Sequence, residues 1–309
     1  MLFRSYWLGV GNWAAVDAGT ARAVEVGGRT RLHRAVDQAQ LIGAISRYLT
    51  GRFEEASAMA AEGMASGRER RDPIVQFWGL LIQMESMLRI DPGNPALATW
   101  LEESRHLATR NVATIDAVRG QVAAARFHLA AGRDGDAWRA TRAAADLAGG
   151  EPSFAQYTLE AHAGIPEVCL ALLERRAAGI DPAELRATAV AGLRRLRRYA
   201  HFFPMARPRA LLCTGWWAWL EQRRGPAARA WARAAREADR LAMPYELAQA
   251  HAELGRHLVP GARSPLGLDQ AAHLARAREL LAAVGCRSVG LEDLRPPHTE
   301  AVDLEVADP

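Results

Sequence analysis

Residues 203–258 read FPMARPRALLCTGWWAWLEQRRGPAARAWARAAREADRLAMPYELAQAHAELGRHL, and this stretch decides the fold class. Leu211, Trp216, Trp219 and Leu220 recur at the spacing of one helix face. Gly225 then marks a tight turn, an alanine-rich helix follows, and Met243-Pro244 breaks it before a third helix. The residue before a proline is pushed out of helical geometry, whereas proline itself suits the first helical position. The stretch therefore predicts one unit of a helical repeat array.

Outward from it, Gly11, Gly51, Gly93, Gly132, Gly179, Gly225 and Gly267 recur at intervals of 40, 42, 39, 47, 46 and 42 residues. Five residues after each stands Val16, Ala56, Ala98, Ala137, Glu184, Ala230 or Ala272, small and apolar in all but one case. A glycine can end a helix in the left-handed conformation, and a small residue in the next helix lets the pair pack closely. Asp72-Pro73, Glu151-Pro152, Arg207-Pro208 and Met243-Pro244 are expected between one hairpin and the next. This punctuation predicts helices over 13–26, 32–50, 52–67, 73–90, 95–109, 113–131, 134–148, 153–177, 182–202, 208–223, 226–241, 245–258 and 268–284.

The fold expectation is all-α: an α-solenoid of about seven antiparallel helix pairs over residues 1–286, with a right-handed twist and a concave face. Alanine, leucine and arginine dominate while β-branched residues are sparse, which favours helix throughout. The chain opens on Tyr6-Trp7-Leu8 as though in mid-helix, so the first repeat reads as truncated and the chain as the C-terminal piece of a longer protein. Residues 287–309, with Pro296-Pro297 and an acidic run, read as a disordered tail.

All 39 basic residues are arginine, which excludes chemistry needing a phosphate-loop or Schiff-base lysine. Net charge is +4; residues 288–309 carry six acids against Arg295, leaving the body at +9. That excess can steer an anionic partner without demanding nucleic acid. Cys169, Cys213 and Cys286 are too few and too far apart for a disulfide framework and read as reduced core residues. A cytoplasmic protein with neither membrane span nor leader is expected.

Candidate sites are sparse. Arg194, Arg195, Arg197 and Arg198, followed by Arg207 and Arg209, are the candidate contacts for a partner, set against a solvated face that complements a helix C-terminus. Trp216, Trp217, Trp219 and Trp231 could stack on bases, but neighbours on a helix point about 100° apart, so interhelical packing is the better reading. His251, Glu253 and His257 lack the spacing of a metal motif, and Tyr245-Glu246 after Pro244 reads as a helix start. No Gly-x-Ser-x-Gly is present, and no cofactor, metal or catalytic residue is assigned.

Gly-Arg-Phe-Glu-Glu-Ala at 51–56 and Gly-Arg-Asp-Gly-Asp-Ala at 132–137 resemble tetratricopeptide turns. Residues 157–168, 203–210 and 243–257 look like the C-terminal helical region of bacterial class III nucleotide cyclases that carry an AAA-type ATPase module. The resemblance spans residues 6–286. It implies a non-catalytic scaffold or sensor, a regulatory tail that docks a protein, a peptide or its own upstream domains. The alternatives are a free-standing adaptor, an all-α enzyme on a helical toroid, and a nucleic-acid-binding array.

Overall fold

The computed structural model describes residues 2–108, 113–149, 155–259 and 261–286. Within them lie α1 (Leu2–Val10), α2 (Trp13–Thr30), α3 (His33–Leu49), α4 (Phe53–Glu69), α5 (Pro73–Ile90), α6 (Ala96–Ala108) and α7 (Thr114–Ala130). They continue with α8 (Asp134–Ala148), α9 (Leu159–Arg175), α10 (Pro182–Phe202), α11 (Arg207–Leu220), α12 (Arg224–Arg240), α13 (Pro244–His257) and α14 (Gln270–Ala283). The described residues hold no strand, and sequence-adjacent helices pack in pairs.

One local device ends most of these helices. A left-handed residue stands at 11, 31, 51, 71, 132, 176, 222, 242 and 285, and the next N–H bonds back five residues, as Arg52 does to the Arg47 carbonyl at 2.8 Å. This is the Schellman stop. Glycine fills it at Gly11, Gly51, Gly132 and Gly285, but Arg31, Arg71, Arg176, Gln222 and Ala242 fill it elsewhere.

Four of the recurring glycines therefore do not end a helix. Gly225 lies inside α12, and Gln222 makes that turn. Gly179 and Gly267 have positive φ but sit in the loops ahead of α10 and α14, and Gly93 has no positive φ. The proline breakers fare better. Pro73 and Pro244 open α5 and α13, with Asp72 accepting from the Ile74 and Val75 amides. Helix α9 starts at Leu159 rather than 153 and carries Pro166 in its interior. Glu151-Pro152 and residues 287–309 lie outside the described residues.

Alternate helices also touch: α3 with α5, α5 with α7, α7 with α9, α9 with α11, and α11 with α13. These form an inner row, with the other member of each pair outside. The row does not stay open. Trp13 Nε1 donates to the Leu241 carbonyl at 2.5 Å, and the Phe53 ring meets Tyr245 edge-on with centroids 5.5 Å apart. Gly51 sits so close to the far end that a Cβ there would lie 2.6 Å from Val284 Cγ1 and 2.8 Å from Pro244 Cγ. One core cluster accordingly contains Leu8, Leu49 and Phe53 together with Trp231, Leu281 and Cys286. The two ends of the expected concave face thus meet, around an interior that stays open at one end.

Candidate functional site

The interior is charged. Helix α5 carries Glu85 and Arg89 four residues apart, α7 carries Arg119 and Arg126, and α9 carries Glu160 and Glu167. Both later pairs are seven residues apart, two helical turns, so each pair shares a face. The facing rows have opposite sign and meet. Arg119 grips Glu85 with two nitrogens, Nε at 2.7 Å. Arg126 donates to Glu160, and through Nη2 to Glu167 at 2.7 Å.

Three further inner helices, α3, α11 and α13, complete the cluster. Arg209 of α11, 1 % exposed, donates from Nε to Glu167 at 2.6 Å and from Nη1 to Glu160 at 3.3 Å and Glu246 at 3.4 Å. Tyr48 of α3 donates to Glu160 at 2.9 Å. Arg89 bonds only phenols: Nε to Tyr48 at 3.2 Å and Nη1 to Tyr245 at 2.9 Å. Its Nη2 has no hydrogen-bond partner and stands 3.8 Å from Glu160.

Burial opposes ionisation of Glu160, yet Arg126, Arg209 and Arg89 outweigh it and hold that carboxyl well below the usual carboxylate range. Glu246 goes the other way. Burial raises its pKa, and the attraction of Arg209 and Arg89 does not offset it.

Beside this cluster lies a cavity of about 190 Å³, lined from α5, α7, α9, α11, α13 and α14. Leu88, Leu129, Val168, Ala171, Leu212 and Trp216 supply apolar wall. The charged lining is Arg89, Arg126, Arg175 and Arg256 against Glu85, Glu167 and Glu253. Its more exposed end is formed by the C-terminal turns, near Pro92, Ala130, Arg175 and Arg256.

The six candidate arginines are separated. Arg194, Arg197 and Arg198 are exposed on α10 and Arg207 is exposed at the start of α11. Arg197 donates to Thr214 Oγ1 at 3.2 Å, and Arg195 is half-buried, with burial lowering its pKa. Arg209 does not belong to that surface: α11 turns it inward onto Glu167. The tryptophans divide too. Trp231 is buried, Trp219 packs against it and against His257, Trp217 lies under Arg186, and Trp216 faces the cavity.

The histidines show a pairing the sequence did not disclose. His251 and His273 share a hydrogen bond between their Nδ1 atoms at 2.8 Å, and His273 Nε2 meets Ser264 Oγ at 2.7 Å. This chain ties the loop after α13 to α14. His257 lies 3.4 Å from Glu253. Glu246 does open α13, as read, but it is also buried against Arg209.

Sequence reasoning missed Tyr48, Glu85, Arg89, Arg119, Arg126, Glu160 and Glu167. The available signal was charge on helices otherwise built for burial, with the same seven-residue spacing on α7 and α9. Compared with family models, with curated proteins and with solved structures, the chain finds no match.

Proposed function

We propose that this chain is a non-catalytic, tetratricopeptide-like helical-repeat scaffold or sensor, the C-terminal regulatory region of a multidomain ATPase or nucleotide cyclase. Its partner is a protein or peptide, or the domains that precede it in the same polypeptide. One observation carries the reading: helices from five successive pairs each send one face into a single interior. A ligand or partner that moves one pair would then be felt by the others, because the inner faces share one ion-pair cluster. The exposed arginines of α10 supply an outer face of one sign, suited to an acidic partner.

The test begins with the genomic frame upstream of Met1, which should encode the ATPase or cyclase module. That module, purified, is titrated with this chain while nucleotide turnover is followed. A change in turnover, weakened at least tenfold in affinity by the double variant Arg194→Glu/Arg198→Glu, is the expected result. Unchanged affinity in a variant that keeps its helicity discards α10 as the docking face. An upstream frame with neither module overturns the regulatory reading in favour of an adaptor.

A further inference from the structure

We propose that an exposed arginine stripe on α12 is the docking surface for this chain's own acidic C-terminal segment, residues 288–309. This contact is independent of the docking role given to α10.

The stripe is Arg229, Arg233, Arg236 and Arg240, spaced four, three and four residues apart and all exposed. At about 100° per residue they fall within about 60° of one another around the helix axis, and a rise of about 1.5 Å per residue makes the line about 17 Å long. The opposite side of α12 is packed inward through Ala227, Trp231, Ala234 and Ala238.

Other outer helices settle their arginines on carboxylates. Arg22 and Arg29 share Glu25, Arg68 reaches Glu103, Arg142 reaches Glu184, and Arg186 reaches Glu221. Among the described residues, Arg240 alone on α12 does so, on Glu237 at 2.7 Å. Arg236 donates to the Pro265 carbonyl at 3.1 Å, while Arg229 and Arg233 meet no carboxylate among the described residues. Like charges three and four residues apart repel and weaken their own helix. The helix macrodipole accounts for Arg240 in the last turn, but not for Arg229 or Arg233 further up. Solvation gives no reason to line these charges up without counter-ions, whereas an anionic segment laid along them does.

Such a segment is part of the chain. Residues 288–309 carry six acids against Arg295, four of them close together at Glu300, Asp303, Glu305 and Asp308. It also begins at the right end of the stripe. Val284 and Pro244 both lie against Gly51, so the end of α14 stands beside the start of α13, and Arg240 precedes Pro244 by four residues. Glu300 follows Cys286 by 14 residues. Extended, that length spans up to about 46 Å, enough to pass the end of α12 and run back along it. Exposed ion pairs are individually weak. Tethering supplies the effective concentration that lets several act together. A membrane surface is a poor occupant, because it needs large apolar anchors and the exposed side of α12 has none.

The experiment uses the full chain and a protease that cuts after glutamate. Cleavage after Glu300 and Glu305 is timed by mass spectrometry at about 0.01 M and about 1 M salt, where charges are screened over roughly 30 Å and 3 Å. A synthetic peptide of residues 288–309 gives the protease's own response to salt. Relative to that peptide, cleavage of the chain should be at least fivefold slower at low salt than at high salt. Arg229→Gln/Arg233→Gln and, separately, Asp303→Asn/Asp308→Asn should each abolish the low-salt protection while leaving the melting temperature and both cleavage sites intact. Equal relative rates at the two salt concentrations overturn the proposal, as does protection that survives Arg229→Gln/Arg233→Gln. Protection lost only in Arg194→Gln/Arg197→Gln overturns it in favour of α10. Protection that fades on dilution overturns it in favour of a second copy of the chain. A random DNA duplex that binds the unaltered chain as tightly as the Asp303→Asn/Asp308→Asn variant at low salt would show the stripe uncovered, with the same consequence.

Discussion

Arg209 Nε reaches Glu167 Oε1 at 2.6 Å, joining α11 to α9 at the centre of the molecule. Removing one member of a buried charge set leaves the others uncompensated, at a cost of about 3 to 5 kcal/mol. Arg209→Met should therefore lower the urea unfolding midpoint severely, whereas Arg194→Ala on the exposed face should change stability by about 0.5 kcal/mol or less. Similar small effects for both would refute the structural role given to Arg209.

A second prediction concerns the non-glycine helix stops. Ala242 is exposed with φ at +50, a conformation costing an L-residue roughly 1 to 2 kcal/mol. Glycine gives back roughly 0.5 to 1 kcal/mol of this through unfolded-chain entropy. Ala242→Gly should raise the melting temperature slightly. Gly51→Ala should lower it strongly, since φ there is +76 and the new Cβ would strike Val284 and Pro244. Opposite signs in a thermal melt are the check.

Burial first, and His273 second, lower the His251 pKa from 6.5 to about 4. The folded pKa lies below the unfolded one, so the unfolded chain binds the proton more readily. Stability from this group is complete above pH 6.5 and declines as pH falls towards 4, by up to about 3 kcal/mol. His251→Gln should flatten that decline. Parallel curves for variant and wild type between pH 7 and 4 would contradict the assignment.

The cysteines should be inert in the folded chain. All three are buried thiols outside any disulfide, and burial pushes the Cys169 thiol up to about 12 and Cys286 to about 11. Thiolate is the reactive form. Labelling with a thiol-specific chromophore at pH 8 should await unfolding, and rapid native labelling would show that the interior opens.

Helix positions were legible because proline, glycine and apolar spacing act locally; the start of α5 at Pro73 and the span of α10 follow directly from them. The left-handed stops at Arg71, Gln222 and Ala242 were not, because nothing in these side chains favours positive φ and the flanking helices impose it. Arg209 misled for a related reason. It lies two residues from exposed Arg207, and the two differ only in which side of α11 faces Glu167. Closure of the array was invisible too, since Trp13 and Leu241 meet across 228 residues of chain.

That closure changes how the molecule should come apart. An open stack of repeats frays from its termini, each unit leaving at little cost to those further in. Here Trp13 and Gly51 lean on Leu241, Pro244 and Val284, so the terminal pairs guard each other. Deleting α14 together with Val284 would strip support from the Gly51 turn between α3 and α4 as well as from α13, and unfolding should be a single cooperative event with no sequential loss of units.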